Sequence, residues 1–237
     1  MATAADGVAV VIPTLNEAES IGAVVAALPR DIVGRIIVVD GGSVDDTAAE
    51  ARRAGADVII VGRGYGLACL AGAQAADAGD IVVFMDGDGA DDPNAIAMMV
   101  TALRSGAFDF VIGSRARGER QPGSMGNHQL LAGVVAGWLT GLLYGVRYSD
   151  MCALRAIRRE TLFSLGMREM TYGWNLEMQM RAARAGIRIL ELPVAYRRRS
   201  GGKSKVAGNL RGSIRASVRI MAAFARVAME PTPGPQG

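Results

Sequence analysis

Five short apolar runs rich in β-branched residues, at 8–12, 36–39, 58–61, 81–84 and 110–112, recur along the first half of the chain with room for one helix between each pair. They are continuous rather than alternating, as strands buried on both faces require. The spacing predicts βαβ units building a Rossmann-like α/β fold, a mostly parallel sheet sandwiched by helices. Ligands of such sheets lie beyond the carboxyl ends of the strands, so the loops after the runs are where function should sit.

Those loops read Pro13-Thr-Leu-Asn16-Glu17, Asp40-Gly-Gly-Ser43 followed by Asp45 and Asp46, and Asp86-Gly-Asp88-Gly89. Each ends its strand in polar or acidic groups. Asp86 and Asp88 carry the most chemistry: alternate residues at a strand end point the same way, so two carboxylates can share one hard divalent cation. Mg2+ or Mn2+ fits, since such ions leave coordination positions to substrate phosphates. Asp-Gly-Asp is also common in plain turns, and its place after an apolar strand is what favours a metal here. No Gly-x-Gly-x-x-Gly follows the first run, and Gly202-Lys203-Ser204 has Arg197 where a P-loop needs glycine, which disfavours dinucleotide and ATP-hydrolysing readings.

Charge is segregated. Residues 1–110 carry 6 basic and 16 acidic side chains and 111–237 carry 20 and 7, although the whole chain is only +3. An acidic half suits cation binding, and an arginine-rich half suits phosphates or an anionic membrane surface. Against 24 arginines stand two lysines, Lys203 and Lys205, in a glycine-flanked turn beside Arg197, Arg198 and Arg199 that suits phosphate contact. The one histidine, His128, supports neither a Ser-His-Asp triad nor a zinc site. Cys69 and Cys152 are too few and too far apart for a disulfide framework and are expected in the core.

Taken in order, Val-Ile-Pro-Thr-Leu-Asn-Glu, Val-Val-Asp-Gly-Gly-Ser-x-Asp-Asp-Thr, Met-Asp-Gly-Asp-Gly, Val-Ile-Gly-Ser-Arg at 111–115 and Gly-Gly-Lys-Ser-Lys at 201–205 resemble the family 2 glycosyltransferases of GT-A fold, especially the polyprenol-phosphate (dolichol-phosphate) mannosyl- and glucosyltransferases. The resemblance spans nearly the whole chain. It implies an inverting hexosyl transfer from a UDP- or GDP-hexose, such as UDP-glucose or GDP-mannose, to a lipid phosphate. Pro13, Asn16, Glu17, Asp40 and Asp46 would then line the nucleotide-sugar side with Asp86, and Asp86 and Asp88 would hold the metal. Arg115, Lys203 and Lys205 would meet phosphates, with Asp88 and these three as the catalytic set. Asp150, Trp174, Glu177, Arg199 and again Arg115 would shape the acceptor side. Trp174 and Glu177 are equally explained as an ordinary helix start. The chain departs from the family pattern at Gly41, where a second Asp is usual, at Ala90, where Gln is common, and at Tyr65, where a basic residue often stands and Arg63 is a substitute.

A phosphomonoester acceptor hardly needs a base, because its second ionisation lies near pH ~6. A hydroxyl acceptor would need one, with Asp150, Asp91 and Asp92 as candidates. A pyrophosphorylase should open on a Gly-rich, Arg-containing loop, which this chain lacks, and a silent sugar-nucleotide-binding protein would not need Asp86 and Asp88 intact.

One domain over 1–229 is expected, with a nucleotide-sugar half (1–110), an acceptor half (111–205), a basic amphipathic helix (206–229) and a loose tail (230–237). In that helix Arg211, Arg215, Arg219 and Arg226 share one arc, which suits either packing on the domain or peripheral contact with the inner face of a membrane. The uncharged segment 130–146 carries Gly133, Gly137, Gly141 and Gly145 on one stripe, open to a close backbone neighbour, an oligomer contact or a shallow membrane dip. Cytoplasmic placement is expected, as no basic, apolar leader opens the chain, and no nucleic-acid partner is.

Overall fold

The computed structural model describes residues 7–76, 80–201 and 210–230, apart from the side chains of 127–128 and 210–218. Strands β1 (Val8–Thr14), β2 (Arg35–Asp40), β3 (Asp57–Ile60) and β4 (Ile81–Phe84) alternate with helices α1 (Ile21–Ala26), α2 (Thr47–Arg53) and α3 (Tyr65–Ala75). They are mutually parallel, with Thr14 opposite Asp40 and Val11 opposite Phe84, so the carboxyl ends of β1, β2 and β4 lie along one edge of the sheet. The expected βαβ rhythm is thus the observed one. Every residue of β1 and β4 is buried, whereas β3 at the sheet edge is half exposed and pins its first residue through Arg35–Asp57 at 2.8 Å. Gly72 lets α3 ride close on the sheet, since a Cβ there would sit 2.3 Å from Val11 Cγ1.

The chain continues through α4 (Ala95–Arg104), β5 (Phe110–Ser114), α5 (Asn127–Tyr144), β6 (Arg155–Arg158), α6 (Arg159–Ser164), α7 (Trp174–Arg184), β7 (Ile189–Pro193) and α8 (Leu210–Met229). The seven-stranded order is β3-β2-β1-β4-β6-β5-β7, and β6 runs antiparallel to both of its neighbours. Its sequence, Arg155-Ala-Ile-Arg158, conceals a central strand. Arg155 is wholly buried, yet its guanidinium donates to the carbonyls of Cys152 and, at 3.1 Å, Asn175, which is how a buried cation is tolerated.

Helices α5, α7 and α8 share a smaller core of Ala136, Leu176, Met180 and Val227. The glycine stripe of α5 meets the chain's own following segment: a Cβ on Gly137 would sit 1.8 Å from Tyr148 O, and one on Gly133 3.5 Å from Asp150 Cα. Gly145 ends the helix in the left-handed region at φ 74°. On α8, Ala223 and Val227 are buried, and Arg226, one of the four arginines of the basic arc, turns to Glu169 (3.2 Å) and Glu177 (3.4 Å). Among the described residues no helix is long and apolar enough to cross a membrane.

Candidate active site

The loop after β1 is tied to the loop after β2. Asn16, in the left-handed region at φ 51°, receives the Val44 N–H on its side-chain oxygen (2.9 Å), and its own N–H reaches Ser43 Oγ (2.8 Å). The Glu17 N–H bonds Thr47 Oγ1 (2.8 Å), and buried Asp40 takes the Ser43 N–H (3.1 Å) and hydroxyl. Pro13 and Asp40 therefore lie at the same sheet edge with Asn16 and Glu17. Asp46 is exposed at the start of α2, and its neighbour Asp45 takes the Thr47 N–H at 3.1 Å.

Beyond β4 the loop coils around its own aspartates. Asp88 accepts the Ala90 N–H (2.9 Å), Asp91 accepts the Asp86 N–H (3.2 Å), and Tyr65 Oη donates to Asp86 Oδ1 (3.2 Å). Burial first, and then the charge of Asp88, push the Asp86 carboxyl up, against the pull of Arg115, the Tyr65 hydroxyl and Arg199. Asp91 is pushed up by burial and then by the charges of Asp86 and Asp88. Crowded, buried carboxylates of this kind are a site where a cation removes repulsion. Among the described residues no group of three or more acidic, Cys or His side chains is placed to hold a metal ion.

Arginines close the other side. Arg199 contacts Glu17 Oε1 at 2.7 Å and Asp88 Oδ2 at 3.0 Å, joining the loops after β1 and β4. It is held there by its own strand-like segment, in which the Arg197 N–H bonds Ala90 O (2.8 Å) and the Ser200 N–H bonds Asp88 O (3.0 Å). Arg115, just past β5, forks onto Asp150 with two contacts of 2.8 Å and stacks over the Tyr196 ring at 4.9 Å. Burial would raise the Asp150 carboxyl, but the hydrogen bonds and charge of Arg115 bring it below its ordinary value.

Two expected acceptor-side residues lie in the interior. Trp174 is fully buried with its ring 6.3 Å from that of Phe84, and Glu177, also fully buried, accepts the N–H groups of Arg168 (3.0 Å) and Glu169 (2.6 Å) and pairs with Arg181. Lys203 and Lys205 lie outside the described residues. Sequence reasoning gave no role to Tyr196 or Ser200. An aromatic directly before an arginine run was the available signal, but the Tyr196–Arg115 contact crosses 81 residues of chain and the Ser200–Asp88 contact 112.

Comparison with known proteins agrees with this geometry. The family model described as Glycosyl transferase family 2 matches residues 9–168. An uncharacterised glycosyltransferase of Mycobacterium tuberculosis is 43% identical over 214 residues, covering 89% of this chain and 94% of that protein. The undecaprenyl-phosphate mannosyltransferase of Micrococcus luteus is 34% identical, covering 85% and 88%. Among solved structures, glucosyl-3-phosphoglycerate synthase from M. tuberculosis in complex with Mn2+, UDP-glucose and phosphoglyceric acid superposes with a TM-score of 0.75 at 25% identity, covering 96% of this chain and 82% of that one. The strand-end aspartates, the GT-A sheet that presents them and the family match converge: this chain is a glycosyltransferase of family 2.

Proposed function

We propose that the enzyme moves a hexose from a UDP- or GDP-sugar to a polyprenyl phosphate, with inversion at the anomeric carbon. The carrying observation is the meeting of Asp86 and Asp88 with Arg199 and Arg115 at one edge of the sheet, an acidic donor side against a cationic acceptor side. Relatives named as an undecaprenyl-phosphate mannosyltransferase and a polyprenol monophosphomannose synthase, the latter 32% identical from Mycolicibacterium smegmatis, support the lipid acceptor.

Pro13, Asn16, Glu17, Asp40 and Asp46 form the nucleotide-sugar side, with Asp86 and Asp88 as the residues that would hold Mg2+ or Mn2+. When bound, the ion neutralises charge on the departing diphosphate. Arg115 orients the acceptor phosphate, Arg199 screens its repulsion from the donor, and Lys203 and Lys205 add charge for the phosphates. No general base is required, because the acceptor phosphate is already an oxyanion at neutral pH. Asp150, a base candidate for a hydroxyl acceptor, spends both carboxylate oxygens on Arg115 instead.

A second reading, a phosphorylated small-molecule acceptor, is favoured by the phosphoglyceric acid held in a structural neighbour. Incubation with a panel of nucleotide sugars and either polyprenyl phosphate or phosphoglycerate, with and without chelator, separates the two by product mass. Chelator-sensitive hexosyl polyprenyl phosphate is expected. Transfer to phosphoglycerate alone refutes the lipid reading.

A further inference from the structure

The inner face of α5 is glycine and backbone contact, while its outer face is apolar and uncovered. Leu131, Val134, Val135, Trp138 and Leu142 are between 46% and 70% exposed. Their spacing of i, i+3, i+4, i+7 and i+11 places all five on one arc of the helix. No charged residue occurs between Arg120 and Arg147, so the arc is flanked by Arg117 and Arg120 on one side and Arg147 on the other; of the nearby acids, Glu119 lies beside Arg120, and Asp150 is on the opposite, glycine side of α5 and paired with Arg115. Arg120 lines a surface hollow together with Leu130, which puts that cation at the edge of the patch.

We propose that this face of α5 docks the enzyme on an anionic lipid bilayer, the helix lying in the interfacial plane rather than crossing. An apolar arc with a central tryptophan and flanking arginines matches the depth profile of a membrane interface. A second copy of the chain fits less well: in a two-fold pairing of α5 helices, parallel or antiparallel, Arg147 of one copy meets Arg147 or the Arg117–Arg120 end of the other, like charge on like. The face also lies one helix thickness from the acceptor side, because Gly133 on the opposite stripe abuts Asp150, the partner of Arg115. The proposal draws on the lipid-phosphate reading for its purpose, not for its evidence.

The chain has two tryptophans, and Trp174 is fully buried, so a change of emission on membrane contact reports Trp138. Full-length protein is mixed with vesicles of phosphatidylcholine with or without phosphatidylglycerol. A blue shift of Trp138, quenching by brominated phospholipid, and stronger binding to the anionic vesicles are expected. L131Q/V135Q/L142Q, all solvent-exposed positions, should bind vesicles at least about tenfold more weakly while keeping transfer to a detergent-solubilised acceptor. Should that variant not fold, the quenching of the parent protein decides. An unshifted, unquenched Trp138 on vesicles overturns the proposal, and a dimer that buries Trp138 in the same conditions assigns the face to a second copy instead. Vesicle binding without transfer to polyprenyl phosphate would refute the acceptor reading and leave the docking face standing; transfer in detergent without vesicle binding would do the reverse.

Discussion

Asp88 and Asp150 are both buried aspartates paired with an arginine, and their surroundings differ. Asp150 gives its two oxygens to the fork of Arg115 and also accepts the backbone N–H of Arg115 (2.9 Å) and of Met151 (2.7 Å). Asp88 accepts one backbone N–H and meets Arg199 through a single nitrogen, and Arg199 divides itself between Asp88 and Glu17. The Asp150 carboxylate is saturated, as a group that holds the Arg115 side chain in place requires. Asp88 keeps lone pairs available in a neighbourhood crowded with negative charge, which is the condition of a carboxylate meant to take a ligand.

That contrast breaks first at Asp88. Asp88→Asn should lower kcat on the order of 10^3-fold, about 4 kcal/mol of transition-state stabilisation, with little change in urea midpoint. Near-parental turnover at saturating metal would remove the site from the chemistry. Asp150→Asn should do the opposite to stability, costing about 3 kcal/mol by urea unfolding because it strands the Arg115 charge in the interior. The double change Arg115→Met with Asp150→Asn should recover part of that loss, and full additivity of the two would show that the pair is not coupled. Arg199→Gln is smaller: about 2 kcal/mol in kcat/KM, since its fork is shared and partly exposed, and an unfolding curve close to the parent's. A large stability loss with unchanged kinetics would make Arg199 a structural residue only.

The sequence made the loops after β1, β2 and β4 legible because parallel strands end together, so residues separated by a helix in the chain become neighbours at one edge without any side-chain detail. The antiparallel β6 was not legible, since Arg155 and Arg158 mask a buried strand whose cation is satisfied by the carbonyls of Cys152 and, twenty residues on, Asn175. Trp174 and Glu177 stayed open between two readings for a related reason. Polar and aromatic groups at a helix start suit a cleft and a core equally well, and the ion network of Glu177 with Arg181 and Arg226 becomes visible only once α8 is packed on α7. The glycine stripe of α5 showed that something approaches closely, but periodicity is blind to whether the neighbour is another chain or the next few residues of the same one.

The last contrast is a difference in sign. In the chelated protein Asp86 and Asp91 hold protons more tightly than the unfolded chain does, chiefly through burial. Folded protein then binds more protons than unfolded protein between the ordinary carboxylate value of 3.8 and the raised values, so their contribution to stability is present below that window and is lost as pH rises through it. Asp150 has a lowered carboxyl, so its contribution is present above 3.8 and is lost as pH falls through the folded value. Asp91→Asn should therefore flatten the decline of unfolding free energy on the alkaline side of 3.8, while Asp150→Asn should flatten the acid limb and leave the alkaline side unchanged. Adding Mn2+ should reduce the Asp91-sensitive slope and spare the Asp150-sensitive one, because an ion on Asp86 and Asp88 would cancel the charges that help to raise Asp91, leaving the effect of burial. If both slopes respond to Mn2+, or neither does, the division between the crowded loop of Asp86, Asp88 and Asp91 and the neutralised Arg115–Asp150 pair does not hold.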